Sequence, residues 1–147
     1  VVIAPGNMYR SIIPALLVGG VKEAISSTNA KVVCVANLVK DKQTSGLSVD
    51  GMVSELERFI GDDAIDYVLY NTKQPTAEQL NLYAEKNLVP VEFHEEELED
   101  RSYIPIGKDL ISSRLHRQDE NDKLLERTLI RHDGDTVSRE LMRIFYS

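Results

Sequence analysis

The apolar positions of this chain form two kinds of pattern that alternate along the sequence. Short continuous apolar runs, rich in β-branched residues, are typical of strands covered on both faces of a sheet. Apolar residues spaced three or four positions apart predict amphipathic helices. The runs predict strands at residues 1–3, 31–36, 67–70, 89–93, 103–106 and 128–131. The spaced patterns predict helices at residues 12–18, 21–25, 49–60, 77–86 and 136–146. This alternation predicts an α/β fold in which helices flank both faces of a mostly parallel sheet.

Capping residues define the predicted ends of the first helices. Ser11 is predicted to be the N-cap of the helix at 12–18, with Pro14 in its first turn, where a missing N–H costs nothing. Ser48 is predicted to cap the most regular helix and Gly61 to end it. The apolar residues of that helix that follow the 3.6-residue period are Val49, Met52, Val53, Leu56, Phe59 and Ile60.

The last two helices have similar signals at their starts. Thr76 and Gln79 have the spacing of a capping box, and either Asp133 or Asp135 is expected to cap the final helix. The side chains predicted to face the core are Leu80, Tyr83 and Ala84 in the first of these helices, and Val137, Leu141 and Phe145 in the second.

Three polar stretches separate these elements. Residues 37–47 form a loop that is long for an α/β connection, which makes it a candidate for function. The acidic run at 95–100 predicts a solvated turn rather than a metal site, because nothing fixes a ligand geometry there. Residues 112–127 are highly charged without a clear period, which predicts a loop or a mobile insertion. We find no repeat, and expect residues 1–147 to form a single domain.

Composition narrows the function classes. With 42% apolar and 28% charged residues in 147, the chain is typical of a soluble globular protein. A net charge of −7 argues against a nucleic-acid binder. No apolar run reaches membrane length, so we expect no membrane partner and a cytoplasmic location. Cys34 lies inside an apolar run, which predicts a buried, inert thiol. Because the chain begins inside a predicted buried strand, we expect it to be a fragment of a longer protein.

The candidate chemistry lies where the predicted strands end. Ligands of parallel α/β sheets bind outside the carboxyl ends of the strands. The turn Pro5-Gly6-Asn7 directs backbone N–H groups at a spot that suits an anion, and Arg131 is a natural bidentate partner for a phosphate or carboxylate. The candidate ligand-binding residues are Gly6, Asn7, Ser11, Asn37, Thr44, Ser48, Arg131 and His132.

Each candidate also has a purely structural interpretation. Asn37 could satisfy only the backbone of a turn, and Arg131 could form a surface ion pair. His132 beside Asp133 could be a general acid–base pair, or the histidine could simply cap or pack. Ser11 and Ser48 are explained as caps without any ligand. Since no P-loop, HExxH, CxxC or nucleophile elbow occurs, we assign no catalytic residue and no metal ligand.

Five motifs in order resemble a known family. Residues 1–17 are similar to the signature GPGSLYTSIIPNLL, and residues 32–37 to its apolar strand that ends in Asn. DYVLYN at 66–71 resembles DYVLVN, residues 89–91 resemble PVE, and RHD recurs at 131–133. These belong to the 2-phospho-L-lactate transferase-like superfamily, on the branch called putative gluconeogenesis factors. The resemblance thins between residues 100 and 127.

The resemblance implies a Rossmann-like three-layer sandwich. On this branch it implies a cytoplasmic regulator of carbon use and of cell wall and shape that binds UDP-sugars, notably UDP-N-acetylglucosamine. On the transferase branch it implies transfer of a phospho-lactyl group to a deazaflavin precursor, with Mg²⁺ as a possible cofactor. A non-catalytic scaffold or oligomerisation domain is the third alternative. When the family's binding residues are transferred to the matching positions of this chain, the resemblance implies that Gly6, Asn7 and Ser11 lie by the phosphates. It also implies that Asn37 lies by the nucleotide and that Arg131 binds the anionic ligand.

The chain also departs from the family pattern. Residues 38–52 match MTQPGETDGYSVSDH only at Thr44, Gly46, Ser48 and Val49, and only with one deletion, which leaves the ligand's identity open. The transferase stretch SPIIGG…KGPA is absent, so the transferase ranks second. The opening GGTG turn is absent as well, so the chain resembles only the C-terminal half of the family fold. We therefore expect it to associate with the missing N-terminal half or to form a homo-oligomer.

Overall fold

The computed structural model describes residues 1–85, 87–99, 101–113 and 130–147. The strands in these ranges are β1 (Val2–Ile3), β2 (Val33–Val35), β3 (Val39–Lys40), β4 (Tyr67–Asn71), β5 (Val89–Pro90) and β6 (Ile104–Lys108). A π-helix at Met8–Ile12 precedes α1 (Ile13–Leu16), α2 (Val21–Ser27), α3 (Val49–Ile60), α4 (Ala77–Glu85), α5 (Glu95–Glu99) and α6 (Gly134–Tyr146). Among the described residues, no helix is long and apolar enough to span a bilayer.

The main sheet has four parallel strands in the order β1-β2-β4-β6. Its register pairs Ile3 with Cys34, Cys34 with Val68, and Val68 with Pro105. The predicted parallel sheet is therefore confirmed. Since β1, β2 and β4 run in the same direction, the residues that follow them meet at one edge of the sheet.

Alternate residues of the strands supply two cores, one on each face of the sheet. On the first face, Cys34 and Val68 pack with Met8, Ile13 and buried residues of α3. On the second face, the core contains Val35, Leu69, Tyr83, Leu110, Ile111 and Ile130, with Val137 and Leu141 packed against it. Helices thus cover both faces, as the sequence pattern predicts.

Helix α3 follows its sequence signals closely. The Ser48 Oγ accepts a hydrogen bond from the Gly51 N–H at 3.2 Å, and Gly61 ends the helix with φ of 116°. The capping box is also formed: the Gln79 N–H donates to the Thr76 Oγ1 at 3.2 Å, and the Thr76 N–H to the Gln79 Oε1 at 2.9 Å. Asp133, rather than Asp135, caps α6.

The prediction that Ser11 is an N-cap is wrong. The helical segment begins one turn earlier, because Asn7 has an extended backbone and its Oδ1 accepts a hydrogen bond from the Arg10 N–H at 2.9 Å. Ser11 consequently lies inside the π-helix, on its exposed side.

Two stretches predicted to be irregular contain regular structure. The loop at 37–47 includes β3, which pairs antiparallel with β5, so the predicted strand at 89–93 is short and lies outside the main sheet. Residues 95–99 of the acidic run form the short helix α5 rather than a turn, because Leu98 packs into the first core with 2% of its surface exposed. Residue 100 lies outside the described residues.

Three predicted core side chains face solvent. Leu80 and Ala84 are exposed, whereas Tyr83 of the same helix is buried. Phe145 is 70% exposed, because the apolar face of α6 passes through Ile144 and places the next residue about 100° around the helix.

Some predictions lie outside the described residues. These are the end of α4 at Lys86, most of the stretch at 112–127, and Thr128 and Leu129 of the last predicted strand. Ile130 and Arg131 are not part of a strand, although His132 forms an isolated antiparallel bridge with Ile111.

Candidate functional site

A pocket of about 310 Å³ opens beyond the carboxyl ends of β1 and β2. The turn after β1, the segment that follows β2, and residues 130–132 meet there, with Leu88 beside them. Its polar residues are Gly6, Asn7, Asn37, Asp41, Thr44, Arg131 and His132. Its apolar residues are Pro5, Met8, Leu38, Val39, Leu88 and Ile130.

Asn37 joins the ends of the first two strands. Its Oδ1 accepts a hydrogen bond from the Gly6 N–H at 3.0 Å, and its Nδ2 donates to the Gly6 carbonyl at 2.8 Å. The carboxamide therefore links the segment after β1 to the segment after β2, beyond the paired residues of the two strands. Because the Gly6 N–H is occupied, Gly6 contributes a fixed wall to the pocket rather than a free donor.

Asn7 and Asp41 form a second link across the pocket. The Asn7 Nδ2 donates to the Asp41 Oδ2 at 3.0 Å. The other carboxylate oxygen of Asp41 accepts from the backbone N–H of Gln43 at 2.9 Å, and from the N–H and the Oγ1 of Thr44, both at 3.2 Å. Asp41 thus holds the turn that follows β3 against the turn that follows β1. Sequence reasoning missed Asp41, although an Asp in a polar turn commonly accepts a hydrogen bond from the backbone N–H two residues on, as Asp41 does from Gln43.

His132 is half-buried and packs against the end of β2. Its Nε2 lies 3.1 Å from the Ala36 carbonyl oxygen, and since a carbonyl only accepts, the Nε2 carries the proton. Burial lowers the pKa of His132, and the hydrogen bond to Ala36 opposes that shift. The neighbouring Asp133 accepts from the Thr136 N–H at 2.8 Å as the cap of α6. This geometry favours packing over an acid–base pair.

Arg131 supplies the positive charge of the site. Its carbonyl accepts from the Ser112 N–H at 2.9 Å, which anchors its backbone beside the pocket. In the described ranges no carboxylate forms an ion pair with its guanidinium. Among the described lining residues it is the one with a permanent positive charge.

Six of the eight candidate residues line this pocket. Ser11 and Ser48 do not. The Ser48 hydroxyl caps α3 and donates to the Glu97 Oε2 at 2.8 Å, so it is directed toward α5. The structure thus brings Gly6, Asn37 and Arg131 to one rim, despite their separation in sequence.

Neither metal ligation nor thiol chemistry is indicated in the described part of the chain. No group of three His, Cys, Asp or Glu side chains there is arranged to hold a metal ion. Cys34 is 4% exposed, and burial raises the pKa of its thiol to about 12, which keeps it protonated and inert.

Comparisons with known proteins place the chain in a family context. Residues 1–111 match the family described as 2-phospho-L-lactate transferase CofD. A protein named "Putative gluconeogenesis factor" from Thermotoga maritima is 38% identical over 101 residues, which cover 68% of this chain and 32% of that protein. One of the same name from Thermoanaerobacterium thermosulfurigenes is 31% identical over 144 residues, which cover 97% of this chain and 40% of that protein.

A solved structure supports the fold. The crystal structure of a UPF0052 family protein from Bacillus halodurans superposes with a TM-score of 0.82 at 23% identity, over 96% of this chain and 42% of that one. The likeness confirms the Rossmann-like α/β prediction. The chain spans less than half the length of these relatives.

Proposed function

This chain belongs to the 2-phospho-L-lactate transferase CofD family, and from that premise we propose that its pocket binds a nucleotide sugar of the UDP-N-acetylglucosamine type. The whole protein would be a cytoplasmic regulator of carbon metabolism and of cell wall and shape. The observation that carries the proposal is an arginine without a carboxylate partner in the described ranges, on the rim of a polar pocket at the carboxyl edge of a parallel sheet.

Charge supports an anionic ligand. The guanidinium of Arg131 matches a phosphate group bidentately. Asp41 also lines the pocket, but its carboxylate accepts four hydrogen bonds, three of them from N–H groups. These donors partly offset its charge. His132, whose pKa is lowered by burial, is neutral at pH 7 and adds no charge of either sign.

The volume of the pocket indicates that it would enclose only part of a nucleotide sugar. A volume of about 310 Å³ is at the lower end of small-molecule pockets. The exposed or half-buried apolar residues Pro5, Val39 and Leu88 offer a surface against which a ring can pack. A nucleotide sugar would also need surface from the rest of the full-length protein, which in the relatives is more than half of the chain.

A thermal-shift titration of the full-length protein tests this proposal. UDP-N-acetylglucosamine, UDP and an unrelated sugar phosphate are compared. A ligand at a hundred times its Kd adds roughly 2.7 kcal/mol of stability, so we expect UDP-N-acetylglucosamine to raise the Tm in a concentration-dependent way. The absence of any shift with nucleotides or nucleotide sugars would contradict the proposal and favour a non-catalytic scaffold.

A second candidate is a phospho-lactyl transferase. The match of residues 1–111 to a family named for that enzyme favours it. A metal-dependent transfer would need carboxylates beyond Asp41, the one acidic residue among those lining the described pocket. Divalent-metal-dependent turnover of a deazaflavin acceptor by the full-length protein would support this alternative. Ligand binding without turnover would favour the regulator.

A further inference from the structure

His132 lines the pocket with a ring whose two nitrogens have different roles. The Nε2 carries the proton and lies 3.1 Å from the Ala36 carbonyl oxygen. Burial lowers the pKa of His132, which keeps the ring neutral at pH 7, so the second nitrogen, Nδ1, is an acceptor with a bare lone pair. Because the two ring nitrogens point in different directions, that lone pair is directed away from Ala36. Among the described residues, none donates a hydrogen bond to Nδ1.

The other side-chain acceptors of the pocket are already engaged. The Oδ1 atoms of Asn7 and Asn37 accept from backbone N–H groups, at 2.9 and 3.0 Å. Both carboxylate oxygens of Asp41 accept hydrogen bonds. The Thr44 Oγ1 accepts from the Asp41 N–H at 3.1 Å and donates to the Asp41 Oδ1 at 3.2 Å. Among the side-chain nitrogens and oxygens of the described lining residues, the His132 Nδ1 is therefore the acceptor left without a hydrogen bond.

Arg131 and His132 thus offer opposite polarities next to each other in sequence. The guanidinium of Arg131 only donates and attracts an anion, whereas the His132 Nδ1 only accepts. A phosphate oxygen that carries no hydrogen cannot bond to Nδ1. A ligand that pairs with both side chains therefore combines a phosphate with a separate hydrogen-bond donor.

We propose that the His132 Nδ1 accepts a hydrogen bond from a hydroxyl or imide N–H group of the bound nucleotide sugar. This inference rests on the proposed function and adds a residue that determines specificity. A site arranged to bond a donor discriminates against an analogue without that donor, because the acceptor of the site is then left unpaired. In UDP-N-acetylglucosamine the donor is the uracil imide, a ribose hydroxyl or a group of the amino sugar.

Calorimetric titrations of the full-length protein with four ligands test the proposal and distinguish these sources. The ligands are UDP-N-acetylglucosamine, its 3-methyluracil analogue, its 2′,3′-dideoxyribose analogue, and UDP, which lacks the amino sugar. Removing the donor that His132 accepts should weaken wild-type binding by roughly tenfold or more. In His132→Phe, which has no acceptor, the penalty for that same ligand should be about tenfold smaller.

The pattern across ligands separates recognition from a structural role. If His132 only shapes the pocket, His132→Phe weakens all four ligands by the same factor, which would overturn the proposal. His94→Phe, at an exposed histidine outside the pocket, is the matched control and should have the ligand penalties of the wild type. A wild-type protein that binds none of the four ligands would contradict the proposed function itself, and this inference with it.

Nitrogen NMR of the wild-type protein with isotope-labelled histidine gives a readout that does not depend on a variant folding. The resonance of an unprotonated ring nitrogen responds directly to a hydrogen bond that it accepts. Saturation with UDP-N-acetylglucosamine should shift the His132 Nδ1 resonance and leave that of His94 unchanged. Binding without a shift at Nδ1 would overturn the proposal while leaving the proposed function intact.

Discussion

The carboxamide of Asn37 bonds to both the N–H and the C=O of Gly6, at 3.0 and 2.8 Å, across 31 positions of sequence. Main-chain pairing between the two strands stops at the ends of β1 and β2, and this one side chain links the segments that follow them. Both of these segments line the pocket.

Removing this side chain should destabilise the protein. Asn37→Ala leaves two partly buried backbone groups of Gly6 without partners, which costs about 1–3 kcal/mol. Urea unfolding of the full-length protein measures the change. Asn29→Ala, at an exposed asparagine with no hydrogen bond to its side chain in the described part, is the control and should have the wild-type midpoint. Equal midpoints for both variants would show that the link carries no stability.

The link between Asn7 and Asp41 should appear as a coupling energy. In a double-mutant cycle of Asn7→Ala and Asp41→Ala, the two changes should be non-additive by about 1 kcal/mol or more, because each removes the same hydrogen bond. Asn7 also caps the π-helix, and the cycle separates that contribution. Additive effects would mean that the two turns are held together by other contacts.

His132 should make stability depend on pH. Burial lowers its pKa in the folded protein below the ordinary value of 6.5, so the unfolded chain binds the proton more readily. Stability is therefore complete above about pH 6.5 and falls as the pH drops below that value. The His132→Gln variant can still donate to the Ala36 carbonyl but does not titrate. The difference in unfolding free energy between wild type and variant should change between pH 7 and pH 5, and a constant difference would contradict the assignment.

Disrupting a hydrogen-bonded cluster away from the pocket should lower the stability of the protein without changing its ligand affinity. The carboxylate of Asp50 accepts from the Tyr103 hydroxyl at 2.9 Å and pairs with Arg101. Tyr103→Phe leaves that buried oxygen without a donor, at a cost of about 1–3 kcal/mol. Tyr9→Phe, which removes an exposed hydrogen bond to Glu55, should have a much smaller effect. Neither variant should change ligand affinity, because neither tyrosine lines the pocket.

Local sequence signals predicted most of the fold. Two kinds of signal act within a few residues, so they can be recognised without knowledge of tertiary contacts. These are the apolar runs of β2 and β4, and the residues Ser48 and Gly61 that begin and end α3. Strand β3 was missed because two residues, Val39 and Lys40, become a strand only by pairing with β5 some fifty positions later. Choosing Ser11 over Asn7 as a cap failed for a related reason. Both residues are good caps, and the backbone conformation that decides between them is set by the turn after β1.

The site could be predicted in outline. The rule that ligands lie beyond the carboxyl ends of parallel strands selected Gly6, Asn37 and Arg131, which do line one pocket. Ser48 was included because it follows β2 in sequence, as Asn37 does. Its hydroxyl instead accepts from the Gly51 N–H of α3 and donates to Glu97. Asp41 was missed because its importance arises from a contact with Asn7, 34 positions away.

The most direct test of the proposed site is calorimetric titration of UDP-N-acetylglucosamine into the full-length protein carrying Arg131→Ala. Loss of a bidentate contact to a phosphate should weaken binding by roughly tenfold to a hundredfold. Arg131→Lys should lie in between, since it keeps the charge and loses the fork. Arg139→Ala removes an exposed arginine of α6 outside the pocket and should bind as the wild type does. A folded Arg131→Ala variant with wild-type affinity would contradict the assignment of this pocket.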